Sequence, residues 1–499
     1  MLFCNQFQLT AYSVVDRSPL SASLAREYVR RMTAHAELRR ELRLADLVLM
    51  QVVFVVGSGW VGTAAKLGPS QLVFWLVAIV SYYLPQAAVV IALNRRMPLE
   101  GGLYQWARAA FGEFGGFLVA WNLWLFAILV LASFNLMIGQ NLWYLVGLDP
   151  SKVASATAYM MTVSVVLSVL LIVVAIRGLG LGKWFSGFGG VAQILTYIAL
   201  IALPLVAFAR GRLPAYRPFA TEMPEISLLS LNIFGKMALG AMSGFEFVAL
   251  MAGETRDPER SIPRSVVIAT PLIALMFILG TATVLAFVPR DQIDLVSPIP
   301  QTLRAGVQGL GVAAFVAPVL IVLLLLRQLG AINMIFAGNT RLPMVAGWDG
   351  LLPNWFTRLH PRARTPVNSI VFVGVVTLLL TLGGLAGAGT QEAFQLLENA
   401  GGIFYAMAYV ALFAIPLFGA RRLGWKPPVW LILASVSGLA VTVLYSVLSI
   451  FPIIDVPSWQ RFALKVGGVV VGSNLLGAGI YILARRRMPA MVVEPAEGD

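Results

Sequence analysis

Long apolar runs alternate with short polar segments along nearly the whole chain. A helix needs about 20 mainly apolar residues to cross the hydrocarbon core of a membrane, so each run of that length predicts one span. The sequence predicts twelve spans, preceded by a polar tail (1–43) and followed by another (485–499). The predicted spans are 44–66, 70–93, 115–141, 156–176, 186–209, 228–252, 264–288, 310–338, 367–387, 393–417, 428–450 and 463–484.

The composition favours a membrane protein and excludes several classes of function. Hydrophobic residues make up 59% of the 499 residues and charged residues 12%, whereas a soluble domain has about 25% charged residues. A soluble core could not bury this much apolar surface, which excludes a soluble enzyme, a disordered chain and a nucleic-acid-binding protein. With one cysteine (Cys4), two distant histidines (His35, His360) and no nucleotide-binding or catalytic pattern, we expect neither an enzyme, nor a metal site, nor a cofactor.

The placement of lysine and arginine predicts the orientation. The loops and tails on the side of both termini hold roughly three times as many of these residues as the loops on the other side. The positive-inside rule then predicts that both termini are cytoplasmic, in the plasma membrane (inner membrane) of a bacterium or archaeon. The net charge of +13 is therefore interpreted as a topology signal and as attraction to anionic membrane lipid.

Two spans carry small-residue interruptions at matching depths. Span 1 contains Gly57-Ser58-Gly59, and span 6 contains Gly240 and Ser243-Gly244. With a rise of about 1.5 Å per residue, each interruption lies roughly 18–24 Å into its span. Glycines in membrane helices often only allow close packing. Matched interruptions in two oppositely directed spans, however, predict an inverted repeat with two broken helices.

A broken helix has a specific binding chemistry. The N–H groups at the start of a half-helix favour an anion, and the carbonyl groups freed at the end of the other half favour a cation. A site that has both suits the α-carboxylate and the α-ammonium group of an amino acid. No charged side chain has to be buried, which would be costly inside a membrane.

Several motifs resemble those of the amino acid–polyamine–organocation (APC) superfamily of permeases. Val56-Gly57-Ser58-Gly59-Trp60 resembles the family's motif in span 1, and Met97–Tyr104 is similar to its loop after span 2. These landmarks follow the family's order from residue 44 to about residue 415. The other matching segments are Ser243-Gly244-Phe245-Glu246, Ala252-Gly253-Glu254, Asp257–Arg260, Ile262-Pro263-Arg264, Asp349–Pro353 and Thr365-Pro366.

The resemblance implies an all-α membrane protein with a LeuT-like fold of 12 transmembrane helices. Its 5+5 inverted repeat would comprise 44–209 and 228–417, with discontinuous helices 1 and 6, followed by two extra C-terminal helices in 428–484. The family pattern also implies how the substrate is held: the backbone N–H groups of Ser58, Gly59 and Trp60 would bind its carboxylate.

The same resemblance implies that the carbonyl groups of Val55, Gly240 and Ser243 bind the substrate ammonium group. Further pocket and gate residues follow from it. They are Gly57, Met242, Gly244, Phe245, Trp124 and Gln328.

The chain departs from the family pattern in two places. Relatives that couple transport to protons often have a lysine in span 5, whereas Val191–Tyr197 contains none, which argues against lysine-based coupling. The interruption of span 6 also lacks an aromatic gate residue. The pocket is therefore wider, or it is covered by Trp60, Trp121 or Trp124.

Three ionisable residues within predicted spans are candidates for coupling, because such residues are rare and usually functional. Glu246 matches a glutamate implicated in proton coupling in some relatives, and an ion pair with Arg327 would equally explain it. Arg327 lies too deep to reach the membrane surface. It is interpreted as a gate, a coupling charge or a substrate contact, or as a buried partner of Glu246, Glu398 or Glu100. Lys236 is interpreted as a charge in an outer vestibule or as a substrate ligand.

The sequence thus predicts a secondary active amino-acid transporter that works by alternating access, as a proton-coupled symporter or an exchanger. Sodium symport is less expected. The alternatives are a non-transporting membrane sensor or scaffold, a channel, and a transporter of a different small amine or organic cation. The expected partners are a small-molecule amino acid, protons or a counter-substrate, and membrane lipid, with no nucleic acid; the chain would be a monomer or a homodimer.

Overall fold

The computed structural model describes residues 42–97, 102–147, 156–177, 181–213, 215–246, 255–308, 315–345, 348, 352–360 and 365–487. Nearly all of both polar tails lies outside these residues, as do Glu100 and the motif segments 98–101, 252–254 and 349–351. The boundaries of the repeats and tails stay predictions.

The described residues are helical apart from connecting segments and an isolated parallel bridge between Leu42 and Thr255. Three helices also contain a π-helical turn: Ile79–Tyr83, Lys236–Ala241 and Ile415–Gly419. In chain order the α-helices are α1 (Leu44–Val55), α2 (Trp60–Ala65), α3 (Gln71–Ala78), α4 (Leu84–Arg96), α5 (Leu103–Phe111), α6 (Glu113–Val146), α7 (Ala156–Arg177), α8 (Leu181–Ala209), α9 (Leu228–Gly235), α10 (Pro258–Phe287), α11 (Pro298–Val307), α12 (Val316–Val345), α13 (Asn354–Thr357), α14 (Val367–Leu385), α15 (Thr390–Ala414), α16 (Val429–Leu448) and α17 (Trp459–Arg487).

Ten helices of the described chain, counted with their adjoining turns, are long and apolar enough to cross a membrane. They coincide with all the predicted spans except the first and the sixth. Those two spans correspond instead to the shorter apolar helices Leu44–Val53 and Leu228–Ala241. The prediction of an all-helical, multi-pass membrane protein is therefore confirmed.

Glycines, rather than the ends of the apolar run, set the limits of α6. The sequence predicts a span over 115–141, whereas α6 extends from Glu113 to Val146. It is bounded by Gly112 (φ 87°) and Gly147 (φ 68°), conformations that cost glycine little and other residues more. The added residues include Tyr144, which bonds to Asp294 at the site described below.

Burial separates central from peripheral helices. In the apolar windows of α6 and α15, 61% of residues are buried within the protein, against 22% for α7 and 17% for α17. The outer helices expose large apolar side chains such as Val166 and Leu170 on α7 and Leu475 and Leu476 on α17. Water would make this surface unfavourable, so the surrounding medium is lipid.

The central helices bring the two short apolar segments together. α6 packs against α15, α8 against α12, and α10 against α1. The short helix α2 contacts both α9 and the π-helical turn that follows it. The regions where the first and the sixth spans lose regular helical structure are therefore neighbours in space.

Candidate functional site

The first span is interrupted between Val55, where α1 ends, and Trp60, where α2 begins. The non-helical residues include Gly57, Ser58 and Gly59, at the position of the predicted interruption. The amide of Gly57 donates to the carbonyl oxygen of Val55 at 2.9 Å. No described residue accepts a hydrogen bond from the amides of Ser58, Gly59 and Trp60, which are therefore free donors.

Two side chains of α8 satisfy carbonyl groups that the interruption frees. The amide group of Gln193 donates to the carbonyl oxygen of Val56, and the hydroxyl group of Tyr197 donates to that of Gly57 at 3.0 Å. Both donors are neutral and almost completely buried. Sequence reasoning noted only that this segment lacks a lysine. The spacing of Gln193 and Tyr197, one helical turn apart on one face, is the signal that indicates a shared role.

The sixth span loses its helix at Ser243 and Gly244, after the π-helical turn Lys236–Ala241. Gly244 has a φ of 111°, which favours glycine and explains why this residue type stands here. Gly240 was predicted to lie at the break, but it lies within the π-helical turn. The predicted interruption at Ser243-Gly244 is present, and the carbonyl role of Gly240 stays a prediction.

Residues of the second span hold the sixth span at its break. Gln86 donates to the carbonyl oxygen of Met242 at 3.2 Å, and the hydroxyl groups of Tyr82 and Ser243 are 2.9 Å apart. Tyr82 belongs to the π-helical turn Ile79–Tyr83, and such turns often occur at functional sites. Phe245, which follows the break, is completely buried.

The indole of Trp60 fills the space between the two interrupted helices. A Cβ atom on Gly57 would lie 2.8 Å from Cδ1 of Trp60, and a Cβ atom on Gly240 would collide with the six-membered ring of the same indole. Both glycines are therefore required by the tryptophan that they contact. Of the three tryptophans proposed from the sequence to cover the pocket, Trp60 is the one that lies between the breaks.

Trp124 does not lie at the level of the breaks. The residue of α6 that contacts the first break is Met137, whose sulfur is 3.9 Å from the hydroxyl oxygen of Ser58. Trp124 precedes it by thirteen residues, which corresponds to about 20 Å along a helix. It packs instead with Trp121 and Trp348, at ring-centroid distances of 5.4 and 5.8 Å. A pocket role for Trp124 stays a prediction, and these contacts do not support it.

Gln328 lies one helical turn from the level of Met137. Its side-chain oxygen accepts a hydrogen bond of 2.7 Å from Asn141 of α6, and Asn141 in turn accepts one of 2.6 Å from Ser297. Gln328 is 1% exposed. These bonds join α12, α6 and the segment that precedes α11 beside the first break.

Asp294 anchors that segment and was missed by sequence reasoning. Its carboxylate accepts hydrogen bonds from the side chains of Gln140 and Tyr144, both at 3.0 Å, and from the amides of Val296 and Ser297. Burial raises the pKa of Asp294, although these hydrogen bonds oppose the change. The sequence signal was a lone acidic residue within the apolar segment 293–296.

The Asp294 segment lies over α2. The carbonyl oxygen of Leu295 is 3.9 Å from the position of a Cβ atom on Gly59, and Pro298 abuts Gly62. The hydrogen bonds to Asp294 thus hold the segment that contains it across one end of the region between the breaks.

Glu246 lies two residues after the break in the sixth span, and it is 6% exposed. One carboxylate oxygen accepts a hydrogen bond from Tyr405 and the other from Tyr409. The hydroxyl oxygen of Tyr409 also accepts a 3.2 Å bond from the amide of Gly244. The two tyrosines therefore tie the carboxylate and the break to α15.

The predicted pair between Glu246 and Arg327 is not formed. Arg327 packs against Gly189 of α8, and its Nε atom has no hydrogen-bond partner among the described residues. Lys236 is 1% exposed and donates to the side-chain oxygen of Asn399. It therefore does not lie in an open vestibule, because the π-helical turn directs it into the interface between helices.

The order of these features agrees with a known family. The family model for amino acid permeases matches residues 42–472, which includes both interrupted spans and their partner helices. The chain belongs to the amino acid permease family. The predicted membership of the APC superfamily is confirmed, and the permease is a membrane transporter rather than an enzyme.

Three relatives show the range of this similarity. The permease is 23% identical to a methylthioribose transporter of Bacillus subtilis, over 73% of this chain and 80% of the relative. It is 24% identical to the chloroplastic cationic amino acid transporter 7 of Arabidopsis thaliana, over 89% and 82%. It is 20% identical to a probable agmatine/putrescine antiporter of Lactococcus lactis, over 74% and 77%.

Proposed function

We propose that this permease is a secondary active amino-acid transporter that works by alternating access around a zwitterion site between the broken spans 1 and 6. The observation that carries the proposal is the contact of Trp60 with Gly57 and with Gly240, which brings the first interruption against the π-helical turn that precedes the second. A binding site formed by two interrupted helices can be opened toward either side as the helices that hold it rotate.

The free backbone groups define the two ends of the substrate. The unpaired amides of Ser58, Gly59 and Trp60 bind the carboxylate. The carbonyl groups of Val55 and Ser243 bind the ammonium group; that of Val55 already accepts one hydrogen bond and has a second lone pair for the substrate. Gly240 contributes the flat surface that lets Trp60 lie beside the substrate, and its carbonyl group is a third candidate ligand for the ammonium group.

The repeat follows from the direction of the helices. Each membrane crossing reverses the side on which the chain emerges, so spans 1 and 6 run in opposite directions. With ten long apolar helices and two interrupted ones, the fold is proposed to have twelve spans in the LeuT-like 5+5 arrangement with two extra C-terminal helices. The excess of Lys and Arg on the side of both termini supports a cytoplasmic location for them.

Glu246 is proposed to carry the coupled proton. It is a buried carboxylate whose hydrogen-bond partners are two tyrosine hydroxyls, and no described cation pairs with it. Because it directly follows the break, a change in its protonation alters the bonds that Tyr409 makes to both Glu246 and Gly244. Proton binding thereby changes the geometry of the substrate site.

Exchange of one amine for another is the second candidate. The freed carbonyl groups of span 1 accept hydrogen bonds from Gln193 and Tyr197 rather than from a lysine, and both donors are neutral. The similarity to a probable agmatine/putrescine antiporter favours the same alternative. In an exchanger of this kind, the carrier returns only when loaded, and a proton gradient alone drives no net uptake.

Binding and flux experiments test these functions. A thermal-shift screen with the twenty amino acids, agmatine and putrescine identifies the substrate class, because a ligand that binds only the folded state raises its stability. In liposomes, counterflow of a radiolabelled mixture of the twenty amino acids is expected to saturate. An unsaturable leak would indicate a channel. No flux of amino acids or amines would indicate a sensor or scaffold.

A variant at the break tests the site itself. Gly59→Leu places a side chain beneath the carbonyl oxygen of Leu295, where the substrate carboxylate is proposed to lie, and is expected to abolish counterflow. Gly383→Leu is the matched control, because no atom lies within 4 Å of a Cβ atom at that exposed position of α14. Normal counterflow by Gly59→Leu would contradict the proposed site.

A further inference from the structure

The outer part of the interface between spans 6 and 10 contains a second buried polar cluster. Lys236 donates to Asn399, and Glu398 lies within electrostatic reach of Lys236. Asn399 and Asn232 both donate to the carbonyl oxygen of Phe451, at 3.4 and 3.1 Å. The transport site described above uses none of these groups.

The cluster lies near the membrane face opposite the chain termini. Lys236 follows the start of α9 by eight residues, and Glu398 follows the start of α15 by the same number, or about 12 Å of helix in each case. Both helices begin on that face. Phe451, whose carbonyl oxygen caps the cluster, lies in the connection between α16 and α17 and is 39% exposed.

Tyr445 of α16 connects this cluster to Glu246. Its hydroxyl group lies directly against Gly402, where a Cβ atom would occupy the position of the oxygen. Gly402 follows Glu398 by four residues and precedes Tyr405 by three, so the hydroxyl lies about one helical turn from each. A residue other than glycine at 402 would displace it.

Three titratable residues, together with the glycine that contacts Tyr445, form one row along α15. Glu398, Gly402, Tyr405 and Tyr409 occupy positions i, i+4, i+7 and i+11, which is a single helix face. Lys236 and Glu246 face the two ends of the row from the sixth span.

Tyr82 of the second span and Tyr445 of α16 also face this row. Tyr82 lies 6.1 Å from Tyr409 between ring centroids, and the Tyr445 hydroxyl lies against Gly402.

We propose that Glu398, which neighbours the Lys236 partner Asn399 in the chain, is the proton-loading site of the transporter, and that Tyr445 and Tyr405 pass the proton to Glu246. A proton from water on the face opposite the termini binds the Glu398 carboxylate. The hydroxyl oxygen of Tyr445 then accepts a proton while its own hydrogen leaves toward Tyr405, which repeats the exchange toward Glu246. The proposal places one water molecule in each gap of about one helical turn. One proton moves, Lys236 remains an ammonium ion, and only O–H bonds are made and broken.

The inference rests on the proposed proton coupling at Glu246, and two assays separate the two ideas. The first measures accumulation of a radiolabelled mixture of the twenty amino acids in liposomes, driven by an acidic exterior, together with internal pH. The second measures counterflow of the same mixture at equal pH on both sides. A loading site affects the first assay and leaves the second unchanged.

Glu398→Gln is expected to slow proton-driven accumulation by about 100-fold, the lower end of the contribution of a positioned proton-transfer group, and to leave counterflow within about twofold of the unmodified protein. The double variant Lys236→Gln/Glu398→Gln is expected to behave in the same way and avoids leaving an unbalanced buried charge. Glu392→Gln, in the first turn of the same helix, is the control and should change neither assay.

Tyr445→Phe tests the relay without altering Glu398 or Lys236, and it should reduce accumulation but not counterflow. Gly402→Ala should have the same effect by displacing the hydroxyl group. The double variant Gly402→Ala/Tyr445→Phe should then be no worse than Tyr445→Phe alone, because the displaced atom is absent. Additive losses would indicate a packing role and would contradict the relay.

The outcomes distinguish the two proposals. If Glu246→Gln abolishes proton-driven accumulation but Glu398→Gln and Tyr445→Phe retain it, the relay is wrong and the coupling at Glu246 stands. If Glu246→Gln retains full accumulation, the proposed coupling is wrong and the relay with it. Loss of accumulation in all three variants, with counterflow intact in Glu398→Gln and Tyr445→Phe, supports both.

Discussion

The hydroxyl group of Tyr197 donates a 3.0 Å hydrogen bond to the carbonyl oxygen of Gly57, the residue at which the first span stops being helical. Tyr197 lies in the middle of α8 and is 1% exposed. In a continuous helix the carbonyl of residue 57 would accept a backbone amide four residues later. The tyrosine replaces that lost partner, so the interrupted conformation of the first span depends on a side chain of α8.

Tyr197→Phe is therefore expected to lower the free energy of unfolding by about 1–3 kcal/mol, the usual cost of a buried group left without a hydrogen bond. Tyr159→Phe is the matched control. Tyr159 also donates to a glycine carbonyl, that of Gly139, but Gly139 lies within α6 and retains its helical bond. Chemical denaturation in detergent would compare the two. Equal losses of unfolding free energy in the two variants would show that the interruption of span 1 depends on the Tyr197 hydroxyl no more than a regular helix depends on that of Tyr159.

Gly240→Ala is expected to impair transport, because the new Cβ atom collides with the indole of Trp60. Counterflow in liposomes should fall by at least about tenfold, which corresponds to about 1.4 kcal/mol. Adding Trp60→Phe, which shortens the aromatic side chain, should restore part of the loss. Gly383→Ala, in open surroundings, should have no effect. A failure of Trp60→Phe to restore any activity would argue that Gly240 acts through its backbone instead.

Asp294 makes stability depend on pH. Burial raises its pKa, so the folded protein retains this proton at pH values where the unfolded chain, with a pKa of about 3.9, has lost it. The folded state then binds more protons. Its stability is highest below the unfolded pKa and decreases as pH rises through the raised value.

Asp294→Asn should flatten this part of the stability profile, since the variant cannot ionise. Thermal melts between about pH 4 and pH 8 would measure it, with Asp291→Asn in the exposed neighbouring turn as the control. An unchanged slope in the Asp294 variant would indicate that its carboxyl group titrates alike in both states.

Arg327 is expected to determine the charge of accepted substrates. Its guanidinium group is held within the protein beside α8, with no ion pair to a described residue. Such a charge disfavours a second cation nearby. Arg327→Ala should therefore increase the binding of arginine and agmatine relative to neutral amino acids, as measured by thermal shift. Micromolar binding of arginine that Arg327→Ala leaves undisturbed would refute this role.

The sequence predicted the helices well where hydrophobicity alone decides them. The ten uninterrupted spans coincide with helices because a run of about 20 apolar residues has one low-energy state in lipid. The interruption at Gly57-Ser58-Gly59 was visible because small residues and the family motif coincide there. In the sixth span the helix is lost at Ser243-Gly244, as predicted, whereas the π-helical turn that contains Gly240 leaves no mark in composition.

Side-chain roles were predicted less well, since each depends on what lies opposite. Trp124 was assigned to the pocket by family pattern, yet helical rise places it about 20 Å from Met137, the α6 residue at the first break. Arg327 and Glu246 both lie within predicted spans, so an ion pair between them was a reasonable prediction. Glu246 is held by two tyrosines instead.

The sequence by itself therefore determined the class of protein, the number of apolar segments and the two places where glycines permit a helix to open. These are local properties, set by the transfer of successive side chains from water to lipid. The tertiary structure decided which side chains form hydrogen bonds with the interrupted backbone. It also decided which charged side chains have no ion-pair partner among the described residues. Tyr197 meets Gly57 across 140 positions and Tyr82 meets Ser243 across 161, so those partners depend on how the helices pack rather than on any local pattern.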